Sequence, residues 1–102
     1  IDASPKIHPR SDGTYVADAR YPLEDLEESF GAILTEEERE EDIDTLGGLV
    51  FHLAERVPTR GELIAHEETG IEFEVVDADP RRIKRLRLRN LPSPRTDGPD
   101  QG

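Results

Sequence analysis

No cysteine, methionine or tryptophan occurs in this 102-residue chain, and Phe and Tyr together supply only five residues. Without Cys there is no disulfide, no thiolate metal centre and no Cys nucleophile, a composition that suits a cytosolic setting. No apolar run approaches the roughly 20 residues that span a bilayer, and no signal-peptide pattern is present, so a soluble piece is expected. The missing Met extends to position 1. The chain opens Ile1-Asp2-Ala3-Ser4, and we expect that this is a cut point within a longer protein. Basic residues are scarce as well: 13 Lys and Arg face 24 Asp and Glu, a formal net charge of −11. Such a charge repels a phosphate backbone and argues against nucleic acid as a partner.

What is present is enough for one small domain. Ile, Leu, Val and Phe number 25, above the roughly one-fifth of a chain below which high net charge means disorder. They thin out at both ends. Residues 1–6 are expected to be a linker from an upstream domain, 7–91 the folded domain, and 92–102 a disordered Pro/Gly/Asp/Ser tail. Charge is segregated within the domain. Glu24 to Asp44 holds eleven acids and one base, Arg39, while Arg81 to Arg89 holds six bases and no acid.

The longest apolar stripe lies in Asp44 to Pro58. Leu46, Leu49, Val50, Leu53 and Val57 share one face of a helix that Asp44 or Thr45 caps and Pro58 ends. Before it, Ile7–Arg10 and Thr14–Asp18 flank Ser11-Asp12-Gly13, a hairpin pattern with Pro9 tolerable only on an edge strand. Pro22 opens a short helix to Phe30, buried through Leu23, Leu26 and Phe30 and stopped by Gly31; Tyr21 stands where a capping Ser or Thr is expected. Thr35 to Asp44, with seven acids and one apolar residue, reads as a solvated loop or frayed helical turn. Three strands follow. Glu62–His66 places Leu63 and Ala65 on one side, and Ile71, Phe73 and Val75 alternate with Glu72 and Glu74. In Ile83–Leu91, Leu86 and Leu88 point inward, and the parity of Ile83 calls for a β-bulge near Lys84. The expected fold is α+β: an antiparallel sheet of about five strands, two helices on one face, order β-β-α-α-β-β-β.

With these elements placed, the chain resembles the transporter-associated domain that ends CorC/HlyC-type proteins, hemolysin-like and magnesium/cobalt efflux proteins with a membrane region and paired CBS domains upstream. Asp12-Gly13-Thr14-Tyr15, Pro22-Leu23-Glu24-Asp25-Leu26, Asp44-Thr45-Leu46-Gly47-Gly48-Leu49-Val50, Pro58, Gly61, Gly70-Ile71-Glu72-Phe73-Glu74-Val75 and Arg81-Arg82-Ile83-Lys84-Arg85-Leu86-Arg87-Leu88 carry the likeness. Ala19 stands where the family usually has Gly, and Tyr21 where it often has Thr. The resemblance implies a cytoplasmic-side domain of an inner-membrane protein, contacts with the upstream CBS domains and membrane region, and modulation of ion transport. It also implies a fold similar to part of the FAD-binding fold of PCMH-type flavoproteins. No cofactor is required by it, though FAD is compatible.

Three candidate sites remain, each with a plainer reading beside it. Thr45, Gly47 and Gly48 at a helix start could offer backbone N–H groups to a phosphate, as a flavin or nucleotide site needs. The plainer reading, close backbone approach where a Cβ would clash, ranks ahead because the usual Gly-rich motifs and a neighbouring Lys are absent. Glu40, Glu41, Asp42 and Asp44 could hold Mg²⁺ or Ca²⁺, but lack the spacing of a calcium loop, so a solvated, self-repelling segment ranks ahead. The Arg81–Arg89 stripe suits anionic headgroups, or cross-strand pairing of Arg85, Arg87 and Arg89 with Glu72 and Glu74, which is favoured. His8, His52 and His66 have no ligand spacing and read as core-edge or surface residues. No Ser sits in a hydrolase motif. The expectation is therefore a non-catalytic regulatory domain acting through protein contacts, a homodimer among them, with Phe51 outside the buried stripe as a contact candidate. A flavin or nucleotide module and a divalent-cation sensor are the rival readings.

Overall fold

The computed structural model describes residues 4–92. Residues 1–3 of the expected linker and 93–102 of the expected tail lie outside the described residues. The elements in order are β1 (Ile7–Pro9), β2 (Tyr15–Asp18), α1 (Leu23–Phe30), α2 (Glu36–Glu40), α3 (Leu46–Ala54), β3 (Leu63–His66), β4 (Ile71–Ala78) and β5 (Ile83–Arg89). The five strands form one antiparallel sheet in the order β1-β2-β5-β4-β3, so the last strand lies in the middle and Pro9 is on an edge. The class is α+β as expected. Among the described residues there are three helices, one more than the residue pattern suggested.

Strand alternation sorts the sheet into two faces. Tyr15, Ala17, Leu86, Leu88, Phe73, Val75, Ile64, Ile71 and His66 stand in register on one of them. Leu23, Leu26 and Phe30 of α1 and Leu46, Leu49 and Val50 of α3 join that face in a single core. The opposite face carries Val16, Arg87, Glu74 and Leu63 in one row and Arg89, Glu72 and Ala65 in the next. Leu63 and Ala65 do share a side, and it is the outer one: Leu63 is 57% exposed while His66, next along β3 on the inner side, is 1% exposed.

Backbone hydrogen bonds stitch the helix starts to one another. Pro22 is itself the N-cap of α1, and the Leu23 N–H donates to the Asp44 carbonyl (2.9 Å) while the Leu46 N–H donates to Tyr21 (3.1 Å). Free first-turn donors are thus satisfied by a neighbouring chain segment, so α1 does without a capping side chain at position 21. The expected bulge is present at Lys84, and a compensating one stands at Val76: Val75 pairs with Leu86, Asp77 with Arg85 and Ala78 with Ile83. The bulge frees the Lys84 carbonyl to accept from the Ala19 N–H at 3.0 Å, which ties the β2–α1 link to β5.

The acidic stretch carries a capped helical turn where a loop or frayed turn was expected. Thr35 Oγ1 accepts from the Glu38 N–H (3.1 Å) and Glu38 Oε1 accepts from the Thr35 N–H (3.0 Å), a reciprocal capping box. Glu27 anchors the approach to it, accepting from the backbone of Ile33 and Leu34 and gripping Arg39 with both carboxylate oxygens.

Candidate functional site

The Gly47-Gly48 pair sits in the first turn of α3, and its amides are committed inside the protein. The Gly47 N–H donates to Ala19 O (2.8 Å) and the Gly48 N–H to Thr45 Oγ1 (3.1 Å). A Cβ at Gly47 would stand 3.0 Å from Ala19 Cβ and 3.1 Å from Ala19 O. Close approach is therefore what position 47 requires, and the small Ala19 side chain is the other half of that contact.

A cleft of about 370 Å³ opens beside this turn, with Ala19, Gly47, Gly48, Phe51, Val57 and Ile83 as its apolar wall and Arg20, Arg81 and Arg82 at its edge. Arg20 is held by Asp18 at 3.2 Å; the Arg82 guanidinium helps hold the Asp18 and Asp79 carboxyls below their ordinary range, and Arg81 makes no salt bridge among the described residues. A second cleft, about 340 Å³, lies on the other side of Phe51 between Ile43, His52, Glu41 and Glu55. Phe51, 50% exposed, is the ridge between the two. Its position on the helix, off the stripe made by Leu46, Leu49 and Val50, turns it outward.

The metal candidates are not gathered. Among the described residues no three His, Asp or Glu side chains converge as ion ligands, and Glu40, Glu41, Asp42 and Asp44 are all exposed. The residue pattern missed a different acidic group. Glu38, 6% exposed, accepts from His66 Nε2 at 2.9 and 3.1 Å, and His66 Nδ1 meets Thr69 Oγ1 at 2.7 Å. Burial opposes the Glu38 carboxylate, but hydrogen bonds from His66 and the Thr35 backbone outweigh it and hold the carboxyl below its ordinary range. His66 is thus a core residue, and the Thr35-x-x-Glu38 capping pattern was the sequence signal that could have placed Glu38.

The arginine stripe is paired across strands as favoured, in part. Glu74 takes Arg89 at 2.8 Å and Arg87 at 3.4 Å, and the Arg89 guanidinium is the main reason its carboxyl sits low. Arg85 stands instead between Asp18 and Asp77 in register.

These features define a small domain with a helical layer on one sheet face, a charged open face, and a ridge-and-cleft surface at the start of its third helix. The transporter associated domain model of the CorC/HlyC family matches residues 8–92, and the chain belongs to that family. It is 36% identical over 87 residues to the magnesium and cobalt efflux protein CorC of Escherichia coli K12, covering 82% of this chain and 28% of that protein. Against hemolysin C of Rickettsia prowazekii it is 40% identical over 79 residues, 78% of this chain and 25% of that one. The chain therefore spans about a quarter of the length of these relatives. The CorC/HlyC transporter associated domain of a Xylella fastidiosa hemolysin, solved with Mg²⁺ and Mn²⁺, superposes with a TM-score of 0.67 at 32% identity, covering 83% of this chain and 96% of that one. No helix among the described residues is long and apolar enough to cross a membrane.

Proposed function

We propose that this chain is a non-catalytic regulatory domain of a CorC/HlyC-type membrane protein and that it modulates magnesium and cobalt transport from the cytoplasmic side through protein contacts. The observation that carries the reading is Phe51, half exposed between two clefts on the outer face of α3. A large aromatic side chain presented this way is an anchor for another protein surface. The committed amides of Gly47 and Gly48 leave the helix start little to offer a phosphate, which ranks a flavin or nucleotide role behind protein contact. Metal ions in the Xylella relative keep direct cation binding as the second reading. Its carriers would be Glu40, Glu41, Asp42 and Asp44.

The test is cobalt tolerance of cells that depend on the intact parent protein, with Phe51→Glu introduced and protein levels matched. Tolerance is expected to change with the substitution. Unaltered tolerance at equal protein level defeats the contact reading, and loss of Mg²⁺ response on joint change of the four acids to Gln/Asn would promote the cation reading in its place.

A further inference from the structure

The sheet face turned away from the helices carries a cationic groove. His8 of β1 stands on that face beside Val16 of β2, and Arg85 of β5 stands beside Asp18 on the far side of β2. One strand separates β1 from β5, a gap of roughly 10 Å at the usual strand spacing. Val16 and Asp18 floor a groove of about 350 Å³ there, with Lys6, His8 and Arg10 on one wall and Arg85 on the other. Its one carboxylate is already engaged. Both Asp18 oxygens meet the Arg20 guanidinium at 3.2 Å, and Oδ1 accepts from the Arg20 N–H at 2.8 Å, which holds the carboxyl below its ordinary range. Neighbouring bases are engaged too: Arg87 and Arg89 by Glu74, Lys84 by Asp79, and Arg82 by the charges of Asp18 and Asp79. His8, Arg10 and Arg85 differ. Each is exposed, and none makes a salt bridge among the described residues, although Asp77 is in register with Arg85 on β4.

We propose that this groove is a binding site for a phosphate group, held between the guanidinium groups of Arg10 and Arg85 with His8 as a further donor. The site is independent of Phe51, which belongs to the helical side of the sheet. In a chain of net charge −11, residues 4–11 contain no acid, and β1 sets its bases at the alternate positions 6, 8 and 10, on one face. A guanidinium presents paired N–H donors in a fork that matches two oxygens of one oxyanion. A phosphate monoester carries nearly two negative charges at neutral pH and answers both arginines, where a single carboxylate leaves one unanswered. The acids of α1 and α2 lie behind the sheet, on its other face. Physiological salt screens charges over roughly 8 Å, so the local excess of base governs what enters the groove. A nucleic acid would extend past the groove and meet the net repulsion; one phosphate group does not. Soluble phosphate compounds and the headgroups of anionic lipids share this chemistry, and experiment separates them.

Amide NMR of the 102-residue chain, titrated with inorganic phosphate at an ionic strength held constant with NaCl, reads binding residue by residue. The amides of His8, Arg10, Val16 and Arg85 are expected to shift and to saturate with a dissociation constant of about 1 mM, the range of a few charge-assisted hydrogen bonds at an open site. Arg10→Gln and Arg85→Gln should each weaken binding about fivefold or more, and the double change should abolish saturation. Arg60→Gln, at an exposed arginine outside the groove, should leave it unaltered. Unshifted core amides in each variant check the fold. Co-sedimentation with phosphatidylcholine vesicles, with and without phosphatidic acid, supplies the second arm. Saturable phosphate shifts without pelleting support the site and assign it to a soluble phosphate compound. Pelleting with phosphatidic acid that the double change abolishes supports the site and assigns it to a headgroup. Phosphate shifts no larger than those from NaCl, with no pelleting, overturn it, and so do responses that survive the double change.

Discussion

An alanine at position 47 would bring its Cβ within 3.0 Å of Ala19 Cβ and 3.1 Å of the Ala19 backbone oxygen, whereas at position 48 the nearest atoms are Thr45 Oγ1 at 3.3 Å and Ile43 Cγ2 at 3.4 Å. The first contact is with a chain segment pinned by its own hydrogen bonds to Lys84 and Gly47; the second is with side chains that can shift. Gly47→Ala is therefore expected to lower stability by about 1–3 kcal/mol, the usual cost of overpacking. Gly48→Ala should be neutral or gain up to about 1 kcal/mol from helix propensity. Urea midpoints of the two variants decide this, and equal shifts would show that the pair acts together. Carboxylates supply a second prediction at this scale. Glu27 and Glu38 both sit below the ordinary glutamate value of 4.5, against burial, because backbone N–H groups, Arg39 and His66 favour their charged forms. The folded chain then binds fewer protons than the unfolded one as pH falls below that value, so their contribution is full at neutral pH and is lost on acidification. Glu62, half-buried and held at about 2 by Arg56, extends the loss to lower pH. The urea midpoint should be level from pH 7 to about 5.5 and fall below it, with a shallower fall in Glu38→Gln.

Among the elements, the link from α1 to α2 depends on one side chain. Glu27 holds the Ile33 and Leu34 amides at 2.7 and 2.8 Å and both Arg39 nitrogens. Replacing it with Ala strands two amides and a guanidinium, and hydrogen bonds to a charged group are worth about 1.5–3 kcal/mol each before local relaxation. Hydrogen exchange should show the Ile33 and Leu34 amides opening at least about tenfold faster in Glu27→Ala, with β4 and β5 little affected. Uniform acceleration across the sheet would mean that α2 is not a separable unit. The same element shows where residue patterns fall short. Glu38 looked like one more solvated acid because its burial depends on His66, 28 residues away, and no local period reports such a pairing.

For the whole molecule, one core built from α1, α3 and strands β2, β4 and β5 implies a single cooperative transition. Leu49→Ala, at a fully buried site, should cost about 2–5 kcal/mol, seen as a lower urea midpoint with unchanged slope. Net charge acts at this scale too. With −11 on 102 residues self-repulsion works against the compact state, so raising NaCl from low ionic strength should lift the thermal midpoint by a few degrees. A falling midpoint would mean that the ion pairs around Glu27, Glu62 and Glu74 outweigh the repulsion.

Local chemistry in the residues determined much of this protein. Alternation in Ile71–Val75 and Leu86–Leu88, the Asp12-Gly13 turn, the Pro22 and Gly31 limits of α1 and the bulge near Lys84 each depend on neighbours within a few positions, and each is where the pattern placed it. The outward side of β3, the Glu38–His66 pair and the two clefts around Phe51 depend on segments far apart in the chain. Those are settled only when β5 enters the middle of the sheet and α3 crosses it, because burial and charge pairing are properties of what a side chain meets in space.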